Sequence, residues 1–484
     1  MSELTIYGGR QVERLTFQPP VPLAELLGVE HMPETPCGGN GTCGKCRVFA
    51  WGDLSPRPDQ DGKVLACQAV VTGDAQVFLP ARQTVRQIQT GGVLPDYAWD
   101  SETDGWGAAV DVGTTTVVVR LADLSHGTLC PPLCGENPQR MLAADVIGRI
   151  QAAGAGKGPI LTRMIRETVD GLLEEACRVA GIARTELVRI VVTGNTTMLY
   201  LYTGRDPECL SHAPFAADCL FGYREETVFY PPCFGAFVGA DIYTAILASG
   251  MCEKPETALL IDLGTNGEIA LAHGGRLLCC STAAGPAFEG GSIRCGGVSA
   301  DGAVDHVWIE GGAIAYSTIG ALPARSICGS GLIDLLACLL ELELVDETGL
   351  MEEGPYRLSE EVTLFQEDIR QLQLAKGAIR AGIETLLKRA GLTAGQVDTL
   401  YVAGGFGTVL DLKHAARIGL IPEELVAKTK VMGNGALSGA LLLLFQPERG
   451  NSGILREAQC LNLSECGEFT DFFVDAMLFE EPDV

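Results

Sequence analysis

Two phrases constrain this chain more than anything else in it: AAVDVGTTTVVVRLAD at 108–123 and ALLIDLGTNGEIALAH at 258–273. Each runs as an apolar strand, an Asp, one apolar residue, Gly-Thr, a short polar stretch and a second apolar strand. That is a β-hairpin with a Gly-Thr turn, written twice about 150 residues apart, and repeated units predict a duplicated architecture. Gly and hydroxyl residues in such a turn offer N–H and O–H donors to phosphate oxygens. The Asp at the strand end can hold magnesium or its waters. The candidate phosphate and Mg2+ residues are therefore Asp111, Gly113, Thr114, Thr115 and Thr116 in the first copy, and Asp262, Gly264, Thr265, Asn266 and Gly267 in the second. One such phrase alone is an ordinary turn; two in corresponding settings are a specific signal.

Three further phrases carry glycine where a ligand or a backbone comes close. DTLYVAGGFGT (398–408) is a strand ending in Gly404, Gly405 and Gly407, bare backbone against which an adenine or ribose can lie. ICGSGLIDLLACLLEL (327–342) opens an apolar helix at Gly329, Ser330 and Gly331, and a helix N-terminus favours anions. MGNGALSGALLLL (432–444) spaces small residues so that two helices can cross closely, as at a hinge or in plain core packing.

The N-terminal stretch GGNGTCGKC imitates a phosphate-binding P-loop but has Cys46 where Ser or Thr is required. The apolar strand before it and the helix after it are also missing. Counted as sulfur, Cys37, Cys43 and Cys46 stand as C-x5-C-x2-C, and Cys67 follows on what reads as the strand KVLACQAVV. Four thiolates in that order suit a [2Fe–2S] cluster, one residue longer in the first gap than the plant-type pattern. Gly38, Gly39, Gly41 and Gly44 let the loop bend around it. The alternative is a structural zinc site, which normally shows two C-x2-C knuckles, where this loop has one.

LTIYGG and VERLTFQP read as paired strands, PLAELLG as a short helix ended by Gly28, and CRVFAWG and AQVFLP as later strands. Residues 1–80 thus resemble a β-grasp [2Fe–2S] ferredoxin, and 81–105, acidic with Gly and Pro, read as a linker. Beyond it strands alternate with helices such as 161–180 and the long helix closed by Gly391, so the class is α/β.

Of 484 residues, 47% are apolar, enough for several domains and a sizeable core. A net charge of −26 argues against nucleic acid as partner, because phosphate contacts need Lys and Arg. The N-terminus lacks a signal peptide's basic flank and apolar run, and the apolar run in GALLLLFQ is too short to span a membrane. A cytoplasmic protein with most of its 18 cysteines reduced is expected. Cys130 and Cys134, the adjacent Cys279 and Cys280, and Cys460 and Cys466 read as packing thiols, and His414 as a helix-surface residue.

The paired hairpins, the Gly-Gly turn and the small-residue helices resemble the acetate kinase, sugar kinase and actin superfamily. The resemblance implies two ribonuclease-H-like lobes over 106–484, the second from about 255, with ATP between them. Within it NPQ (137–139), ADVIGRI (144–150), VTGNTTM (192–198), APF (213–215), VGADI (238–242), AAGPAFEGG (283–291) and CGSGLID (328–334) resemble the reductive activators of corrinoid-dependent enzymes, which join an iron–sulfur domain to such an ATPase.

That resemblance implies ATP-dependent return of a corrinoid protein's cobalt from Co(II) to Co(I), an unidentified low-potential donor and a dimer through the ATPase domain. It makes Asp262 a catalytic residue and Glu268 or Asp241 the group that positions the attacking water, and it places Asn195 and Glu289 at the cleft or the partner. Longer relatives carry a middle region between the cluster domain and the ATPase, and a linker of about 25 residues implies that this chain lacks it. Three other readings stand beside this one: a small-molecule kinase with a redox-sensing cluster, a ferredoxin with an inert docking domain, and an activator of a low-potential dehydratase.

Overall fold

The computed structural model describes residues 2–8, 11–33, 35, 39–42, 44, 46–59, 62–79, 104–264, 266–451, 455 and 457–479. Cys37, Gly38, Cys43, Thr265 and nearly all of the 81–105 segment lie outside the described residues.

The N-terminal sheet holds β1 (Ser2–Gly8), β2 (Gln11–Phe17), β3 (Val21–Pro22), β4 (Arg47–Ser55), β5 (Lys63–Leu65) and β6 (Val70–Leu79) in the order β2-β1-β6-β4-β5. Alternation along β4 sends Val48 and Ala50 into the core beside Leu4, Ile6 and Val77, the period-2 pattern of a half-buried strand. Helix α1 (Leu23–His31) runs past Gly28, where φ of 58° kinks it rather than ending it. The apolar run KVLACQAVV is not one strand: Ala66–Gln68 form a turn between β5 and β6, and Cys67 sits in it.

The second sheet contains β7 (Trp106–Val112), β8 (Thr116–Asp123), β9 (Thr128–Leu129), β10 (Leu133–Glu136), β11 (Leu187–Gly194), β12 (Tyr223–Glu225) and β13 (Val228–Tyr230), ordered β10-β8-β7-β11-β13-β12. The third begins with β14 (Ala258–Leu263), β15 (Gly267–His273) and β16 (Arg276–Thr282). A small sheet of β17 (Ala303–Glu310), β18 (Ala313–Thr318) and β19 (Ser326–Ile327) and a short pair, β20 (Tyr356–Arg357) and β21 (Thr363–Leu364), interrupt it. It resumes with β22 (Thr399–Ala403), β23 (Thr429–Gly433) and β24 (Gln459–Cys460), in the order β23-β22-β14-β15-β16-β24.

The two large sheets repeat one topology. In each, an antiparallel meander of three strands has its first strand paired in parallel with a strand that arrives by a helical crossover: β7 with β11, and β14 with β22. A further parallel strand follows, β13 or β23. The crossover before β11 uses α2 (Val146–Ala152) and α3 (Gly158–Ala180). On α3, Leu161, Ile165, Val169 and Leu173 form the buried stripe, and Gly181 ends the helix in the left-handed conformation, with φ of 74°. The crossover before β22 uses α6 (Gly329–Glu341) and α7 (Gln366–Ala390). Two shorter helices, α4 (Thr196–Thr203) and α8 (Leu412–Arg417), link β11 to β13 and β22 to β23.

After each final strand comes a helix, α5 (Ala240–Ser249) and α9 (Gly435–Phe445), and these two pack on each other. They sit in one core with Ala109, Val118 and Val191 of the second sheet and Leu260, Ala270 and Tyr401 of the third. A Cβ placed on Gly439 would fall 1.8 Å from the Thr244 carbonyl oxygen, so this glycine is what permits the crossing. Gly439→Val is expected to cost upwards of about 3 kcal/mol through overpacking against backbone that cannot yield. Urea unfolding would measure it, and an unchanged midpoint would contradict the close approach. Among the described residues no helix is long and apolar enough to cross a membrane.

Candidate active site

The duplicated topology sends the ends of β7 and β14 to the same place. A cleft of about 290 Å3 is lined by Asp111, Gly113, Thr114, Thr115 and Thr116 from the first hairpin, and by Asp262, Gly264, Asn266 and Glu268 from the second. Asp241 from α5, Asn195, Glu289, Gly329, Gly404, Gly405 and Asn434 complete most of its wall. The phrase-by-phrase candidates therefore converge, with some exceptions. Gly407 packs beneath the turn, where a Cβ would meet Val402 Cγ1 at 2.7 Å, and a Cβ on Gly331 would meet the Val304 carbonyl oxygen at 2.4 Å. The Ser330 hydroxyl donates to the Asp305 carbonyl at 2.8 Å, and the Gly267 Cβ position faces Ile379 and Thr282. These four serve close packing against neighbouring backbone or side chains rather than line the cleft.

The first hairpin turn is supported from behind. Asn137 donates through Nδ2 to the Gly113 carbonyl at 2.8 Å and through its backbone N–H to the Thr115 carbonyl at 2.8 Å. Arg149, wholly buried, donates to the Thr114 carbonyl at 2.5 Å, to Gln139 Oε1 at 3.1 Å and to the Ala143 carbonyl at 3.1 Å. Burial pushes its guanidinium down to about 9, which leaves it charged at neutral pH. Asn195 caps α4 by accepting from the Met198 N–H at 2.9 Å, and its Nδ2 donates to Thr114 Oγ1 at 3.0 Å. Thr115 Oγ1 donates to Glu289 Oε2 at 2.8 Å. The phrases NPQ, ADVIGRI and VTGNTTM are thus the scaffold of one turn, and the buried cation beneath it adds positive potential. Arg149 and Asn137 were not singled out from the sequence.

Four of the cleft's carboxyl groups are pushed up by their surroundings. Burial, with repulsion from Asp241, pushes Asp111 up to about 7 against the 2.8 Å hydrogen bond that Asn434 Nδ2 donates to it. Burial and repulsion from Asp241 and Asp111 push Asp262 to about 7. Asp241 rises to about 6 through burial, opposed by the Ile242 N–H at 2.9 Å. Glu268 is pushed well above the carboxylate range by burial and by its two acidic neighbours. Such crowding fits a site completed by a cation. Among the described residues no three acidic, His or Cys side chains converge tightly enough to cage a metal alone. That donor set suits Mg2+, which takes one or two carboxylates and completes its shell with phosphates and water.

The N-terminal domain brings Cys46 and Cys67 together, with Sγ atoms 3.2 Å apart and Cys46 buried. The Ala66 N–H donates to the Cys46 carbonyl at 2.9 Å, and Gln68 Nε2 to the Gly39 carbonyl at 2.6 Å, so the turn and the glycine loop face each other. Gly39, Gly41 and Gly44 all have positive φ, between 67° and 85°. Two adjacent thiols against a loop of left-handed glycines fit a cluster's donor set. Thr35 Oγ1 donates to the Met141 carbonyl at 2.5 Å, which ties this loop region to the turn just after Asn137.

His414 is half-buried on α8 and is tied to a buried carboxylate rather than standing free on the surface. Its Nδ1 lies 2.8 Å from Oδ1 of the buried Asp334, whose Oδ2 meets His306 Nδ1 at 3.1 Å, and the Asp334 bond raises the His414 imidazole.

Residues 106–254 match the family model described as the RACo middle region, and 256–484 match the C-terminal domain of RACo, the ASKHA domain. The corrinoid activation enzyme RamQ of Eubacterium limosum is 31% identical over 83% of this chain and 75% of its own length. The chain belongs to the corrinoid activation enzymes. This activator is also 26% identical, over 71% of each chain, to the [Co(II) methylated amine-specific corrinoid protein] reductase of Methanosarcina barkeri. A solved structure, that of a reductive activator for corrinoid, iron-sulfur protein, superposes with a TM-score of 0.69 at 27% identity, covering 99% of this chain and 98% of that one. The expectation that the activator lacks the middle region is corrected by the match over 106–254. The region is present, and its Asp-x-Gly-Thr hairpin made it read only as the first ATPase lobe.

Proposed function

We propose that this activator couples ATP hydrolysis to delivery of one electron to a corrinoid protein, returning its cobalt from Co(II) to Co(I) for methyl transfer. The observation that carries the reading is the meeting of both hairpin ends, Asp111 and Asp262, in one cleft whose walls are joined by the α5–α9 crossing. A nucleotide bridging the two hairpins biases the relative setting of the two lobes, and a ligand shifts such an equilibrium by its differential affinity for the two states.

The turns at Gly113–Thr116 and Gly264–Asn266 receive the phosphates, and Gly404–Gly405 the adenosine. Asp111 and Asp262 hold Mg2+, which when bound supplies charge neutralisation for the triphosphate. In the attack on the γ-phosphorus a water O–H loses its proton as the new P–O bond forms and the bond to the β-phosphate oxygen breaks. Environments that push carboxyl groups apart assign their roles: Asp241, at about 6, is ionised at neutral pH and takes that proton, and Glu268, pushed up by burial and its acidic neighbours, lines the cleft beside it.

Cys37, Cys43, Cys46 and Cys67 hold a [2Fe–2S] cluster, which when bound supplies a one-electron reductant near about −400 mV, the plant-type range. An acceptor ~150 mV lower would require roughly 3–4 kcal/mol per electron, within what ATP provides. An external low-potential donor restores the reduced state.

The test mixes dithionite-free, reduced protein with a Co(II) corrinoid protein and follows the reduced-cluster paramagnetic signal. It is expected to vanish only when ATP and Mg2+ are both added. Loss of the signal at the same rate without nucleotide would overturn the coupling.

A further inference from the structure

We propose that Cys279 and Cys460 form a redox-active dithiol that closes to a disulfide by exchange with a small-molecule disulfide. The two residues are register partners on the neighbouring parallel strands β16 and β24. The Cys279 thiol donates to the carbonyl of Gln459, the residue before Cys460, at 3.7 Å. Neighbouring strands lie ~4.8 Å apart, inside the Cα separation of roughly 4.4–6.8 Å that a disulfide spans.

The surroundings select this pair from the nearby cysteines. Strand alternation sends Cys280 to the other face of the third sheet, where a Cβ on Gly382 of α7 would lie 3.7 Å from its Sγ. Cys466 donates to the Asn462 carbonyl and accepts from Arg389, each at 3.5 Å. Cys279 instead belongs to the core shared with α5 and α9. Cys460 is exposed at the sheet's edge, and a Cβ on Gly235 of the middle region would meet its Sγ at 3.2 Å. The neighbouring Cys279 holds the Cys460 thiol below its ordinary value, and Cys460 together with burial raises Cys279. An exposed thiol biased toward thiolate beside a resolving thiol is the arrangement that reacts.

The chemistry balances without any other oxidant. The Cys460 thiolate attacks one sulfur of the small disulfide, forming a mixed disulfide and expelling one thiolate. Cys279 then loses its proton and attacks the Cys460 sulfur, expelling the second. The two protein thiols are oxidised by two electrons, and the small disulfide is reduced to two thiols. The product fastens the edge strand β24 to β16 beside the loop that leads into α5, the helix that carries Asp241.

The experiment equilibrates the intact protein anaerobically with oxidised glutathione, traps free thiols with N-ethylmaleimide and maps tryptic peptides by mass. A linked peptide joining the segment that contains Cys279 to the segment that contains Cys460 is expected. It should persist in Cys280→Ser and Cys466→Ser and disappear in Cys279→Ser and Cys460→Ser. A link that survives Cys460→Ser would overturn the proposal. So would Cys460 recovered fully alkylated or held as a stable glutathione adduct.

Discussion

Cys46→Ser is expected to strip the protein of its iron–sulfur absorbance and to bring cobalt reduction down to background, while ATP turnover is retained. Cys46 is wholly buried, with its Sγ 3.2 Å from that of Cys67. A hydroxyl fills nearly the same volume but is a poor iron ligand, so the loss is one of ligation rather than of packing. Among the described residues, the cleft at Asp111 and Asp262 takes none of its lining from this domain, which is why hydrolysis survives. Iron content, visible absorbance and phosphate release on one preparation check all three parts. A variant that keeps its iron would remove Cys46 from the ligand set, and a parent protein that holds zinc instead of iron would rule out the cluster.

Asp262→Asn separates function from stability in the opposite sense. ATP turnover is expected to fall by about 10²–10³-fold, the scale on which a site loses one preorganised electrostatic contact to the transition state. The fold should gain. Asp262 stands at about 7 in the folded protein against 3.8 in its ordinary environment. A carboxyl raised on folding contributes stability that is fully present below its unfolded value and lost as pH rises through its folded value. Relative to the parent without nucleotide or Mg2+, the asparagine variant should therefore unfold at higher temperature at pH 8, with the advantage shrinking toward pH 4. Melting curves of both proteins across that range test the sign. A variant less stable at pH 8 would mean that Asp262 is a structural carboxylate and not one held ready for a cation.

The parts of this molecule that were legible in the sequence are those written in consecutive residues. The Asp-x-Gly-Thr hairpins were found because the chain spells them twice, and their convergence followed once two copies implied two matching lobes. The small residues of α9 were readable as a helix crossing because Gly435 and Gly439 fall on one face. What escaped depends on distant pairing. Asn434 reaches Asp111 across 323 positions, and Arg149 supports Thr114 from another helix. His414 finds Asp334 80 residues away, so a histidine in a polar phrase read as surface. Glycine was the other source of error. Gly404 and Gly405 face the cleft while Gly331 and Gly407 admit neighbouring backbone or side chains, and the letter is the same in both uses. Cys67 was placed on a strand because the apolar run KVLACQAVV conceals a turn whose residues are all strand-compatible.

The central claim is that ATP drives the electron to cobalt. Reduced protein mixed with a Co(II) corrinoid protein, with the cobalt absorbance followed in a single turnover, tests it most directly. Co(I) or its methylated product is expected to accumulate with ATP and Mg2+, and not with ADP or with Asp262→Asn. Co(I) formed equally well without nucleotide, or none formed with ATP by a protein that holds its cluster, would contradict it.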